Sequence, residues 1–360
     1  MNADISLELQ QRIQNAYEDK LALNITGGNS KAFYGCAVKA ETLSVAGHSG
    51  VLSYEPTELV ITARAGTSLK EIEALLDEHG QMLPFEPPAF SEQATIGGTI
   101  ACNLSGPRRA YAGAARDYLL GCKIINGKGE MLTFGGEVMK NVAGYDVSRL
   151  MAGAMGTLGV LLEVSLKVLP KAEKEMTRVI NCSAKDAIDK MHAWSQTPLP
   201  ISATSFHDSI LCVRLSGATK AVDAAVNYIG GDSGETMEQE QSYKYWQDLK
   251  EQRLEFFKTE KPLWRLSLAS DTDLLSLEEN AYDYFYEWGG ALRWLKSDVA
   301  VETIQKAMDE VDGHASLFRH ADKVNVFQPL TPGLMRIHEN LKKAFDPHHI
   351  LNPGKLYPEL

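Results

Sequence analysis

Three glycine-centred segments constrain the fold of this chain more than any other feature. They are Asn24-Ile-Thr-Gly-Gly-Asn-Ser30, Ala94-Thr-Ile-Gly-Gly-Thr-Ile-Ala-Cys-Asn103 and Gly153-Ala-Met-Gly-Thr-Leu-Gly-Val160. Glycine weakens helix and strand interiors and supplies turns and close backbone approaches, so the first half reads as short strands joined by tight turns. Strands are expected over 20–25, 59–65, 119–125, 131–134 and 159–169. Two helices interrupt them. Leu9, Ile13 and Ala16 give residues 1–20 one apolar face, an ordinary amphipathic helix rather than a secretory segment. Ser68 with Glu71 three residues later reads as a capping box, and Leu69, Ile72, Leu75 and Leu76 form the apolar face of a helix that stops at Gly80.

The second half is patterned differently. Composition shifts near Pro170, where Lys171-Ala-Glu-Lys-Glu175 opens a more charged region. Strand 176–181, helix 184–195, strands 201–206 and 210–215, helix 218–229 and strand 235–238 follow the β-α-β-β-α-β order of a ferredoxin-like unit. The order partly recurs in a helix at 243–257, strands near 263–268 and 291–295, a helix at 301–311 and a strand at 315–319. A last helix over 334–345 precedes Asp346-Pro-His-His349 and Asn352-Pro-Gly354, two turn-forming stops. That tail is expected to fold back on the first domain. The fold class is α+β, with domains at 1–170 and 171–330 and a tail at 331–360.

Of the glycine segments, the first follows an apolar strand, and its Thr26, Gly27, Gly28, Asn29 and Ser30 can turn backbone N–H groups inward as an anion nest. It serves equally well as a plain turn. It lacks the G-x-x-x-x-G-K-[ST] spacing of a Walker loop and the helix-opening G-x-G-x-x-G of a Rossmann fingerprint. The second runs uncharged through apolar surroundings, which suits close approach to a flat ligand or tight packing of two backbones. Arg108 and Arg109 follow it, two guanidinium groups available to phosphate or to solvent.

Lys plus Arg number 36 against 47 Asp plus Glu, a net charge of −11, and this balance argues against nucleic acid. Locally the sign reverses: residues 20–40 hold Lys20, Lys31 and Lys39 and no acid, and residues 94–116 hold Arg108, Arg109 and Arg116 and no acid. Cys36, Cys102, Cys122, Cys182 and Cys212 lack CxxC spacing, so they read as reduced thiols rather than disulfides or cluster ligands. The longest uncharged apolar-rich run falls short of the ~20 residues that span a bilayer. No direct membrane insertion is expected, and any membrane association would come through a partner.

The series Thr26-Gly-Gly-Asn-Ser-Lys31 with Tyr34 and Gly35, Glu55 to Val60, Thr62-Ala-Arg-Ala-Gly-Thr67, Ala94-Thr-Ile-Gly-Gly98, Lys140-Asn-Val-Ala-Gly-Tyr-Asp146 and Gly156-Thr-Leu-Gly-Val160 resembles the FAD-binding domain of the vanillyl-alcohol oxidase/p-cresol methylhydroxylase (PCMH) type. More narrowly, Gln81-Met-Leu-Pro-Phe-Glu-Pro-Pro88, the stretch from Cys102 to Arg109, Phe134-Gly-Gly-Glu-Val-Met-Lys-Asn141 and the tail 345–356 resemble a family of FAD-binding subunits of bacterial glycolate oxidases (glycolate dehydrogenases). The resemblance implies a two-subdomain FAD-binding domain with a smaller ferredoxin-like cap and non-covalent FAD. It places Thr26, Gly27, Gly28, Asn29 and Ser30 on the pyrophosphate. Ala94, Thr95, Ile96, Gly97, Gly98, Thr99, Ala101, Cys102 and Asn103 would line diphosphate and flavin, and Gly156, Gly159 and Val160 would close the ribityl and adenine side. It also implies a cytoplasmic complex with a sister FAD-containing catalytic subunit and an iron–sulfur subunit, oxidising glycolate to glyoxylate. The His-Gly-Asp-Gly-Asn-x-x-His stretch of catalytic relatives is replaced by Asp312-Gly-His-Ala-Ser-Leu-Phe-Arg-His320. His314 and His320 therefore read as surface or packed histidines, no metal is expected and no catalytic base is named. His48 and Cys102 are flavin-attachment candidates by residue type only, and His348 with His349 reads as a turn.

Overall fold

The computed structural model describes residues 3–136, 146–229, 234–277, 283–319 and 326–360. The chain opens with helix α1 (Ser6–Asp19) and strands β1 (Leu23–Thr26), β2 (Glu41–Ser44), β3 (Val51–Glu55) and β4 (Val60–Arg64). Helix α2 (Leu69–Glu78), β5 (Gln81–Met82), and short helices α3 (Ile96–Cys102), α4 (Arg109–Ala112) and α5 (Ala115–Tyr118) follow. Strands β6 (Leu119–Ile125) and β7 (Met131–Gly135), helix α6 (Val147–Met151) and strands β8 (Val160–Lys167) and β9 (Leu169–Pro170) complete the first half. β1 and β2 pair in parallel, and a five-stranded antiparallel sheet runs β3-β4-β8-β6-β7. β8 is central and nearly all buried, and five of its eight residues are apolar. One core joins this sheet to Leu9 and Ile13 of α1, to Leu69, Ile72 and Leu76 of α2, and to Ile350 and Leu351 of the tail.

One local expectation changes, and one element is added. Ser68 stands at the start of α2 without a side-chain cap. The Leu69 N–H instead donates to the Ala94 carbonyl at 2.8 Å, so a neighbouring backbone does the work assigned to the capping box. The second glycine segment, given no element from the sequence, is helical over Ile96–Cys102. In this helix, α3, the N-cap Thr95 Oγ1 accepts from the Gly98 N–H at 3.2 Å and the C-cap Asn103 is left-handed; tertiary enclosure outweighs the low helix propensity of the Gly97-Gly98 pair.

The second half comprises β10 (Lys174–Asn181), α7 (Ala184–Ser195), β11 (Ile201–His207), β12 (Ile210–Gly217), α8 (Thr219–Tyr228), β13 (Glu235–Thr236) and α9 (Gln239–Lys250). Then come β14 (Leu263–Ser267), β15 (Tyr284–Glu287), β16 (Leu292–Lys296), α10 (Val301–Asp309), β17 (His314–Arg319) and the tail helix α11 (Pro332–Phe345). Eight strands form one antiparallel sheet, β13-β10-β12-β11-β15-β16-β14-β17. Each group of four has the spatial order of a ferredoxin-like unit, and the two units join where β11 pairs with β15. β15 escapes a periodicity reading because all four of its residues are buried: both faces of the sheet are covered, by α7, α8 and α10 on one side and by α9 and the first half on the other. The helix expected over 243–257 ends at Lys250, with Gln252 left-handed and only a 3-10 turn at Glu255–Phe257 beyond.

Candidate cofactor site

A cleft of about 300 Å³ opens where β1 ends. Thr26, Gly27, Gly28, Asn29 and Ser30 line one side, Thr95, Gly97, Gly98, Ala101 and Cys102 of the α3 segment its floor, and Gly156 and Gly159 a third wall. Among the described residues, the N–H groups of Gly27, Gly28, Asn29 and Ser30 donate to no protein acceptor. Asn29 is left-handed at φ 57°. Four consecutive free amides at a turn of this kind form an anion-binding concavity.

Two glycines explain how the backbones come so close. A Cβ on Gly28 would lie 1.4 Å from the Gln93 carbonyl oxygen, and one on Gly97 would lie 2.5 Å from Ala65 Cβ. The Gly97 N–H also donates to the Ala65 carbonyl at 2.8 Å, so tight backbone packing and cleft lining are both served by one residue.

Five of the residues singled out from sequence lie outside the lining. Ala94, Ile96, Thr99 and Val160 are buried, and Asn103 caps α3 while its Oδ1 accepts the Arg116 N–H at 3.0 Å. The lining includes residues the sequence reading did not name as site residues: Lys31, Tyr34, Val45, Ala65, Met155, Asn352 and Lys355 among them. Lys31 and Tyr34 stood in the quoted motif, whereas Asn352 looked like a turn residue because its contact with the cleft spans over 300 positions. Of the segment 140–146 only Asp146 is described, where its Oδ1 accepts the Arg149 N–H and caps α6; residues 140–145 lie outside the described residues.

The electrostatics of the cleft centre on buried lysine. Lys31 is 7% exposed, with Nζ 3.4 Å from Ser30 Oγ and 3.5 Å from the Ala89 carbonyl. Burial pulls its pKa below the ordinary lysine value, opposed by Cys102, Glu251 and Glu73. Burial also raises the Cys102 thiol, against Lys31 and Lys355, so Cys102 is a neutral thiol at neutral pH.

Arg108 and Arg109 do not reach this cleft. Arg108 bonds Glu86 at 3.3 Å and Glu175 at 2.9 Å, Arg214 bonds Glu86 at 2.8 Å, and Arg109 stacks 4.4 Å from the Trp288 ring. The pair left open between phosphate and solvent instead joins the two halves, helped by Glu251, which accepts the Ala89 and Phe90 N–H groups. His48 is away from the cleft as well: it is fully buried and its Nδ1 accepts the Ile5 N–H at 3.2 Å. His349 is an exposed turn residue with φ 54° and His348 packs on Tyr17. His314 is half-buried in β17, where burial lowers its pKa, and His320 lies outside the described residues.

The chain is 46% identical over 357 residues to the glycolate oxidase subunit GlcE of Escherichia coli (strain K12), covering 99% of both chains. The chain belongs to the GlcE family of PCMH-type FAD-binding flavoproteins. The family model described as "FAD binding domain" matches residues 5–135, and "FAD linked oxidases, C-terminal domain" matches residues 326–356. This GlcE-family chain is also 33% identical over 127 residues to the glycolate oxidase subunit GlcD of Bacillus subtilis (strain 168), covering 35% of this chain and 27% of that one. The fold is shared with p-cresol methylhydroxylase, at TM-score 0.75 and 16% identity over 98% of this chain and 87% of that one. It is shared too with alkyldihydroxyacetonephosphate synthase, at TM-score 0.68 and 16% identity over 96% and 75%. The cofactor is FAD. Free amides at Gly27 to Ser30, a glycine where no Cβ fits and a cleft lined by both polar and apolar residues suit a dinucleotide. No helix among the described residues is long and apolar enough to cross a membrane.

Proposed function

We propose that this chain is the FAD-binding subunit of a multisubunit glycolate oxidase (glycolate dehydrogenase), with glycolate oxidised to glyoxylate mainly on a sister flavoprotein. An iron–sulfur subunit would accept the electrons. The observation that carries the reading is the cradle of four free amides at the end of β1, in a chain similar to GlcE along almost its whole length. In this reading Gly27, Gly28, Asn29 and Ser30 hold the pyrophosphate through their N–H groups. Gly97, Gly98, Ala101 and Cys102 lie beneath the cofactor, and Gly156 and Gly159 close the far wall. Binding is read as non-covalent, since His48 lies away from the cleft and Cys102 is an attachment candidate by residue type only. Bound FAD would supply the electron-carrying chemistry, and the protein supplies position and charge.

Residues 1–170 with the tail 331–360 are read as the FAD unit and 171–330 as the cap. The cap's Asp312-to-His320 stretch lacks the histidine and carboxylate pattern of catalytic relatives, which favours a relay and assembly role over independent catalysis. The test is purification of the tagged chain alone and with its complex. Flavin bands on the isolated chain with poor glycolate turnover are expected. Rapid reduction of its own flavin by glycolate without partners would overturn the division of labour in favour of a self-sufficient 2-hydroxyacid dehydrogenase, and a colourless chain after reconstitution with FAD would leave an assembly subunit.

A further inference from the structure

The C-terminal tail reaches the cofactor cleft through one buried construction. Lys342 Nζ donates to the Thr157 carbonyl at 2.8 Å, to the Leu351 carbonyl at 2.7 Å and to Asp346 Oδ2 at 2.8 Å. The Asp346 carboxylate in turn accepts the N–H groups of Ile350 at 3.1 Å and Leu351 at 2.7 Å. Both side chains are at most 1% exposed. An ion pair with its donors and acceptors served in this way holds one geometry, because any departure leaves a buried charge unpaired.

What that geometry presents is Asn352. Its Oδ1 accepts the Ile25 N–H at 2.7 Å and its Nδ2 donates to the Met155 carbonyl at 2.7 Å. Ile25 leads directly into the amide cradle, and Met155 leads into Gly156 on the opposite lip. Among the described residues no direct hydrogen bond joins segment 23–30 to segment 153–159, so the tail is the polar link between the lips. Three backbone bonds extend it: Leu23 N–H to the Ile350 carbonyl, Asn352 N–H to the Leu23 carbonyl, and Cys36 N–H to the Lys355 carbonyl at 2.9 Å.

We propose that the tail is a cofactor lock: Asn352 is a positioning residue that sets the spacing of the two lips, and tail docking and FAD retention are one coupled equilibrium. This rests on the reading that FAD occupies the cleft. A ligand that touches both lips favours the docked tail, and by linkage the docked tail favours the ligand to the same degree.

The experiment measures FAD affinity and backbone hydrogen exchange on the full chain. FAD added to the wild type should slow exchange of the Leu23, Ile25, Cys36 and Asn352 amides selectively, leaving strand 210–217 unchanged. Asn352→Ala, which removes two hydrogen bonds, should weaken FAD about 30-fold while the FAD-free protein keeps its secondary structure. Asn352→Asp keeps an acceptor for the Ile25 N–H but, when ionised, cannot donate to the Met155 carbonyl, and should fall between the two. A wild type that binds FAD without slowing these four amides, or an Asn352→Ala variant within threefold of wild-type affinity, overturns the lock alone. A wild type that takes up no FAD overturns the lock and the reading of the cleft together. The exchange measurement needs no variant, so it decides the matter even if Asn352→Ala fails to fold.

Discussion

Replacing Gly28 by alanine sets a methyl carbon 1.4 Å from the Gln93 carbonyl oxygen, 2.4 Å from its carbon and 3.3 Å from the Ala94 nitrogen. An ordinary contact at 3.4 Å requires the two backbones to part by about 2 Å, and no rotamer can absorb that, since a Cβ has none. The 93–96 side cannot yield cheaply: the Ala94 carbonyl accepts the Leu69 N–H, the Ile96 N–H donates to the Thr67 carbonyl, and Thr95 caps α3. The loop at 27–30 yields instead, because its amides hold nothing within the protein. Strain of about 1–3 kcal/mol should lower the melting temperature of the FAD-free protein by a few degrees. FAD should lose far more, since two displaced amides at about 1.5–3 kcal/mol each toward a charged acceptor weaken binding roughly 10²- to 10⁴-fold. Flavin fluorescence titration gives the affinity and differential scanning calorimetry the stability. Gly333→Ala, at a position with no neighbour within 4 Å, is the control and should leave FAD affinity unchanged. A folded Gly28→Ala variant that binds FAD within threefold of wild type would refute the placement of the pyrophosphate at this loop.

Three further perturbations follow from buried charge. Glu86→Gln removes the charge that serves Arg214 at 2.8 Å and Arg108 at 3.3 Å and leaves both guanidinium groups to Glu175, at 2.9 Å from Arg108 and 3.8 Å from Arg214; the cost should stay below the ~3–5 kcal/mol of a fully unpaired buried charge, read by urea unfolding. Burial alone would raise the Glu86 pKa, but Arg214 and Arg108 outweigh it and hold it below the ordinary value, so its contribution is complete above about pH 4.5 and is lost as pH falls through the lowered value. The variant should lack that acid slope. Glu287 is the opposite case: burial pushes it up to about 7, against a bond from Trp294 Nε1 at 2.7 Å. Its contribution is therefore complete below about pH 4.5 and lost as pH rises through about 7, so Glu287→Gln should gain up to about 3 kcal/mol over wild type at pH 8 and little at pH 5, as melting curves at the two pH values will show. Lys342→Met strands Asp346 and should cost about 3–5 kcal/mol in denaturant unfolding, and pairing it with Asp346→Asn should recover part of that loss.

Local pattern made much of the scaffold legible. Strand 119–125 and helix 184–195 fall where apolar periodicity and flanking residues place them, because each buries one face or runs between clear breakers. The ferredoxin-like order over 176–236 was readable for the same reason. β2, β3 and β15 were not: β2 and β3 are short and largely exposed, and β15 is buried on both faces, so none alternates. The glycine segments identified the cleft's main walls, yet the roles of individual glycines waited on neighbours distant in sequence, Gln93 for Gly28 and Ala65 for Gly97.

An acidic α+β chain with glycine-built loops was legible in the residues alone, since turn chemistry, periodicity and net charge are local or summed properties; FAD came from the resemblance of those loops to a known family. The tertiary structure decided what each charged group serves. Arg108 and Arg109 are equally suited, as residues, to phosphate, glutamate or an indole ring, and only the approach of Glu86, Glu175 and Trp288 sent them to the junction. Asn352 likewise became part of the cleft only when the tail came back across it, anchored by the Lys342–Asp346 pair. Such assignments depend on which partner arrives within about 3 Å, and that distance is set by the packing of elements hundreds of residues apart rather than by any neighbouring residue in the chain.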